Sequence, residues 1–165
     1  MQPEKLAEVR SWLKKAASDL RGADIDLAAS PPFIEDMLFH CQQAAEKTMQ
    51  GFLTAHDRIF RKTHDLDELA SACEAVDPTL QEVLNPAIDL TVFAWEFRYP
   101  GEAEAPSLEE ARQFRALAGE VYQSVLARLP QAAHPESPVS EIFHLITHHP
   151  SSLPRHKSPG LPLDG

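Results

Sequence analysis

The stretch from Phe33 to His56 constrains the fold more than any other part of the chain. Its apolar side chains recur at steps of three and four residues, which places them on one face of an α-helix. That face is wide enough for the central helix of a bundle. The residues on it are Ile34, Met37, Leu38, Cys41, Ala44, Ala45, Thr48 or Met49, Phe52 and Leu53.

A polar ridge follows the same helix. Asp36, His40, Gln43 and Lys47 are separated by steps of four, three and four residues, so their side chains share one strip of the helix surface. Polar groups that line up beside an apolar face are the first place to look for chemistry in this chain.

Four more helices are predicted from the same periodicity and from capping residues. The first is expected from about Glu4 to Ala29, with Gly22 at a close helix contact, and paired prolines at 31 and 32 end it. Because the turn to the central helix is so short, these two helices should be antiparallel. The third is expected to begin at Thr63 or Asp65 and to end near Ala75.

The fourth helix is expected from about Pro78 to Phe97, where Pro86 should kink or divide it. Its predicted apolar face contains Leu80, Val83, Leu84, Ala87, Ile88, Thr91, Val92 and Trp95. The fifth is capped by Ser107, with Glu110 completing a capping box, and should run to about Leu129. A short amphipathic helix is predicted for 141–148.

These elements predict an all-α, up-and-down bundle of five main helices plus a short C-terminal helix. Residues 1–130 should form the bundle, and 131–165 a proline- and histidine-rich extension that is partly disordered. The chain has no apolar run of the ~20 residues needed to cross a bilayer and no signal segment, so no membrane contact and a cytoplasmic location are expected.

Charge and cysteine content exclude some functions. The net charge of −10 disfavours broad, nonspecific binding to a phosphate backbone, although a local basic site remains possible. Cys41 and Cys73 are the only cysteines, and both lie within helical patterns. We therefore expect two reduced structural thiols. No cofactor is expected.

Three motifs in order, FHCQQAAEK, RKTHDLDEL and FRYPG, are similar to those of the HEPN domain family. The resemblance extends from Leu6 to Leu129 and favours the members with a KTHDL-type loop and an RYP ending. It implies a helical bundle, a homodimer, and nucleotide binding or RNA cleavage. It also implies a minimal nucleotidyltransferase as partner protein and a toxin–antitoxin context.

The ribonuclease members of that family carry an arginine, four to six residues and then a histidine near the end of the bundle. Arg98 stands at the matching place, but no histidine follows it until His134. Arg58 and His64 have five residues between them but lie in the wrong segment, so we interpret that spacing as coincidence.

The polar residues within these motifs predict an anion site. Lys47, Arg61, Lys62 and Arg98 are suited to phosphate oxygens. In a bound nucleotide, the phosphates would be held by Lys47, Lys62, His64 and Arg98. The amide groups at His64 and Asp65 would add the positive end of a helix, and Gln43 and Tyr99 would contact base or sugar. In the alternative interpretation, Gln43, Glu46, Lys47 and His64 form a hydrogen-bonded cluster that ties the central helix to the following loop, with Arg98 as a helix cap.

Three functions remain open from the sequence. The first is a nucleotide- or RNA-binding accessory module. The second is a metal-independent ribonuclease with His64 as general base and Arg61 or Arg98 stabilising the phosphate. The third is a structural protein whose dimer face is its whole function.

His144 and His148 have a spacing that suits a metal, but no further ligands complete the set, so a surface histidine run is favoured.

Overall fold

A computed structural model describes residues 1–94, 96 and 105–135 of the chain. These residues form five α-helices and no strand. The α-helices are α1 (Pro3–Ala28), α2 (Ile34–Ala55), α3 (Leu66–Glu74), α4 (Gln81–Ala87) and α5 (Leu108–Leu126). Short 3₁₀ helices occupy Pro78–Leu80, Ile88–Ala94 and Gln131–Ala133. The predicted all-α bundle is therefore confirmed, whereas the predicted helix at 141–148 lies outside the described residues.

Helices α1 and α2 pack against each other as an antiparallel pair. Lys5, near the start of α1, pairs with Asp57, just after the end of α2. Farther along, Gly51 faces Trp12, and Gly22 faces His40. A Cβ atom on Gly22 would lie 3.0 Å from His40 Nε2. The predicted close helix contact at this glycine is thus present, and its partner is an imidazole ring.

Helix α2 is the centre of the bundle. It contacts α1, α3, α5 and the 3₁₀ helix at Ile88–Ala94. Most of its residues are buried, including the whole predicted apolar face except Ile34, which is half-buried. Phe52 is the largest of the fully buried side chains. Because most of α2 is buried, the polar groups on its buried faces must find partners inside the protein.

The fourth predicted helix is divided, as the proline within it suggested. Three 3₁₀ residues lead into α4, which contains Pro86, and a second 3₁₀ helix follows. A 3₁₀ helix has three residues per turn instead of 3.6, so the buried face rotates. Leu90 and Phe93 are buried, whereas Val92, predicted to face inward, is exposed. The prediction that Val92 lies on the buried face was therefore wrong, because the α-helical repeat does not continue through this segment.

Both cysteines are buried free thiols within helices α2 and α3. Burial raises the pKa of Cys41 to about 12 and that of Cys73 to about 12. These values leave little thiolate at neutral pH, which agrees with two structural thiols.

The compact unit continues past α5 to Pro135. Ala133 is fully buried, and the Arg10 guanidinium donates to the Ala132 carbonyl at 2.5 Å. His134 Nε2 lies 3.0 Å from the Leu126 carbonyl oxygen. Residues 131–135 therefore close one end of the bundle against α1 and α5. In the described part of the chain, no helix is both long and apolar enough to cross a membrane.

The hydrogen bonds that Asp77 accepts from Thr79 and Arg128 should make the stability of the fold depend on pH. Asp77 accepts hydrogen bonds from the Thr79 hydroxyl at 2.6 Å and the Thr79 amide at 3.0 Å, and from Arg128 Nε at 2.8 Å. The Thr79 bonds, and then Arg128, hold the pKa of Asp77 below its usual range. A lowered carboxyl pKa stabilises the folded state above the ordinary value, near 4, and that contribution is lost as the pH falls through the folded pKa.

We therefore expect Asp77→Asn to unfold in less urea than the wild type at pH 7, and the difference to shrink as the pH falls to about 3. Urea midpoints of both proteins across this pH range measure the effect. Parallel midpoints throughout would show that the ionised carboxylate contributes nothing to stability.

Candidate functional site

A buried carboxylate, Glu46 on α2, is the centre of the candidate site. Its Oε2 atom accepts hydrogen bonds from Gln42 Nε2 at 2.9 Å and from Gln43 Nε2 at 3.4 Å. Gln50 Nε2 lies 3.4 Å from Oε1, and the His64 ring is 2.9 Å from Oε2. Four donors thus surround one carboxylate, which is how a protein satisfies a charge removed from water.

His64 is held at two points, one on its ring and one on its main chain. Its Nδ1 atom is the one that contacts Glu46, and because an ionised carboxylate has only acceptor oxygens, Nδ1 carries the proton. The backbone carbonyl of His64 accepts from Gln42 Nε2 at 3.3 Å. The side chain is nevertheless 56% exposed, and Nε2 has no hydrogen-bond partner among the described residues. The site therefore presents a held ring with one nitrogen available to a ligand.

The turn around His64 is held by its own hydrogen bonds. The Asp65 amide donates to Thr63 Oγ1 at 3.0 Å, and Asp65 caps α3 by accepting from the Asp67 and Glu68 amides at 3.0 and 3.5 Å. The Leu66 amide donates to Thr91 Oγ1 at 3.1 Å. The backbone amides at the start of α3 therefore already donate to oxygen atoms of the protein. The Asp65 amide, which was predicted to contact phosphate, is one of them.

The predicted cations are divided between two places. Lys47 pairs with Asp19 on α1, and His40 Nδ1 lies 3.2 Å from the same carboxylate, so this part of the polar ridge joins α1 to α2. Arg61 is paired with Glu68 at 2.5 Å. Lys62 is exposed and forms no hydrogen bond or ion pair with another described residue.

The structure brings Gln43 and His64 to the same carboxylate, with Asp65 next in sequence. The hydrogen-bonded cluster considered as the alternative interpretation is present for Gln43, Glu46 and His64. It does not include Lys47, which contacts α1 instead. Arg98 and Tyr99 lie outside the described residues.

Two groups important to this arrangement were missed from the sequence. Gln42 is fully buried, and Gln50 is nearly so. A signal was present, because Gln42, Glu46 and Gln50 are spaced four residues apart and form a second polar ridge on a largely buried helix. Asp19, the partner of His40 and Lys47, was also missed, because nothing in the sequence of α1 separates it from the other acidic residues there.

A surface cleft lies elsewhere, between the start of α1 and the end of α2. Residues from both sides line it, including Lys5, Glu8, Arg58, Ile59 and Phe60. Its lining includes both positive and negative side chains. It contains none of the residues predicted to bind a ligand.

The fold and the site define a small all-helical module in which the motifs RKTHDLDEL and FHCQQAAEK meet at the contact between His64 and Glu46. The HEPN domain family model matches residues 9–129 of this chain. The chain belongs to the HEPN domain family, as its motifs indicated. Comparisons with curated proteins and with solved structures find no significant match.

Proposed function

We propose that this protein is a HEPN-type accessory module that binds a nucleotide or RNA through the connection between α2 and α3. The observation that carries the proposal is the exposed His64 ring, fixed by buried Glu46 in the same turn as Lys62. A side chain held in one orientation loses little freedom on binding, which favours recognition. Lys62 supplies a positive charge that no described residue neutralises.

Of the cations predicted to contact phosphate, Lys62 is the one that the surrounding charges favour. Lys47 and Arg61 are each paired with a carboxylate, so a phosphate group would have to displace Asp19 or Glu68 to reach them. Lys62 needs no such displacement. In this proposal Lys62 contacts a phosphate, Gln43 and His64 lie beside the sugar or base, and Arg98 and Tyr99 add phosphate and base contacts.

A thermal-shift titration with ATP, GTP, ADP, GDP and a short single-stranded RNA tests the proposal. A ligand that binds only the folded protein raises its stability, by about 2.7 kcal/mol at a hundred times its Kd. We expect a saturable shift that Lys62→Ala or Arg98→Ala abolishes. Arg112→Ala is the matched control, because Arg112 is an exposed cation on α5, where it pairs with Glu109. A shift that survives both substitutions, or no shift with any ligand, would contradict the proposed site.

The proposed biological setting follows from the family. We propose a homodimer that acts beside a minimal nucleotidyltransferase in a toxin–antitoxin-like context. Light scattering coupled to size exclusion tests the dimer, since the chain mass is 18.3 kDa. A mass that stays at the monomer value across concentrations would rule the dimer out.

A second function, metal-independent cleavage of RNA, is favoured by one observation. A histidine whose Nδ1–H is held by a carboxylate has the arrangement of an oriented general base. Incubation of the protein with single-stranded RNA and a metal chelator tests this function. RNA cleavage by the wild type that is absent in His64→Ala would support this function. If the RNA stays intact, cleavage is ruled out and binding without cleavage is the proposed function.

A further inference from the structure

We infer that His64 recognises the ribose 2′-hydroxyl of its ligand, and that Glu46 is the positioning residue that makes this possible. The inference rests on the proposed function, because it names the kind of nucleic acid that this site would select. A 2′-hydroxyl is the group that distinguishes RNA from DNA at a binding site.

The chemistry of the ring leads to this ligand group. In neutral imidazole one nitrogen carries the proton and the other is an acceptor. Glu46 holds the proton on Nδ1, so Nε2 offers a lone pair to the ligand. A phosphate oxygen is itself an acceptor and cannot donate to that lone pair, whereas a sugar hydroxyl can. The fixed tautomer therefore favours a hydroxyl group over a phosphate as the partner of His64.

The structure keeps this tautomer in place from several directions. The carboxylate is 8% exposed at its side chain, and three glutamine amides hold its two oxygens. Gln42 also holds the His64 backbone carbonyl, so ring and main chain are anchored to the same turn of α2. Neither the carboxylate nor the ring can turn away without breaking these bonds.

Lys62 provides the adjacent contact that a nucleotide needs. Only Thr63 lies between Lys62 and His64, so their Cα atoms are at most about 7 Å apart. Lys62 is exposed and has no ion-pair partner among the described residues. A positive charge for the phosphate and an acceptor for the hydroxyl thus occur in one turn, as the alternating groups of an RNA strand require.

Three octamers of one sequence test the inference at pH 8, where histidine is ordinarily neutral: RNA, 2′-O-methyl RNA and DNA. We expect the wild type to bind RNA about fivefold more tightly than the other two, the equivalent of one hydrogen bond. The 2′-O-methyl octamer retains the RNA shape but cannot donate, so it separates the hydroxyl contact from shape recognition. The variant His64→Phe, which keeps a planar ring but has no acceptor nitrogen, should lose the preference, and Lys62→Ala should weaken all three alike.

The role of Glu46 has its own measurement. Nitrogen-15 NMR of the wild-type imidazole should show the Nδ1-protonated tautomer, and Glu46→Gln should shift the ring toward the Nε2-protonated one and reduce the RNA preference. An Nε2-protonated ring in the wild type would overturn the inference even if the Glu46 variant failed to fold. Equal binding of the three octamers would overturn it while leaving the proposed function intact. Binding of none would overturn it and remove RNA from the proposed function, and the titration with mononucleotides would then decide whether the site binds nucleotides.

Discussion

The Glu46→Ala variant should lose about 3 kcal/mol of unfolding free energy, the largest effect we expect from a single polar side chain. Gln42 is fully buried, so removal of the carboxylate leaves a buried amide with unmade hydrogen bonds. Each such group costs about 1–3 kcal/mol. The hydrogen bond between α2 and the His64 ring is lost as well. Urea unfolding at neutral pH measures the change.

The matched control for this substitution is Glu109→Ala. Glu109 is an exposed carboxylate whose ion pair with Arg112 spans 3.9 Å on the surface of α5. Its removal should change stability by no more than about 0.5 kcal/mol. A Glu46 variant that is no less stable than this control would show that the buried network does not join α2 to the loop.

A Gly51→Leu substitution should destabilise the protein by about 2–3 kcal/mol. A Cβ atom at this position would lie 3.2 Å from Trp12 Cβ and 3.5 Å from Leu13 Cδ2. Trp12 Cβ is attached directly to the backbone of α1, so the two helices must separate to admit a larger side chain. Overpacking of this kind costs about 1–3 kcal/mol and outweighs the better helix propensity of leucine. Thermal or urea unfolding measures the loss.

Gly119→Ala on α5 is the matched control for helix propensity. Its Cβ would meet only Arg115 Nη1, at 2.9 Å, which is the one end nitrogen of that side chain that does not bond Asp24. The variant should keep or raise stability, by up to about 1 kcal/mol. If Gly51→Leu were equally tolerated, close packing of α1 on α2 would not be what requires glycine at position 51.

The local features of the fold were largely predictable from sequence. Asp65 and Ser107 start α3 and α5 as predicted, with both halves of the Ser107 capping box present. The apolar periodicity of α2 located the central helix because its burial pattern follows the helical repeat. Capping and periodicity depend on neighbours within a few residues, so sequence alone specifies them.

Partners across the bundle were much less predictable. The ridge of His40, Gln43 and Lys47 was identified, but its members divide between Asp19 on one side and Glu46 on the other. A helix can turn a long side chain to either neighbour, and packing decides which. After Pro86 the chain continues as a 3₁₀ helix that contacts α2, and its tighter turn changes which residues are buried.

Amide NMR of the full chain during titration with an eight-nucleotide RNA tests the central claim most directly. We expect saturable shifts at the amides of residues 61–66, with the largest changes near Lys62 and His64. We also expect Lys62→Ala to weaken the titration while the wild-type fold is retained. Saturable shifts confined to another surface, such as the cleft lined by Lys5 and Phe60, or no shifts at all, would contradict the claim.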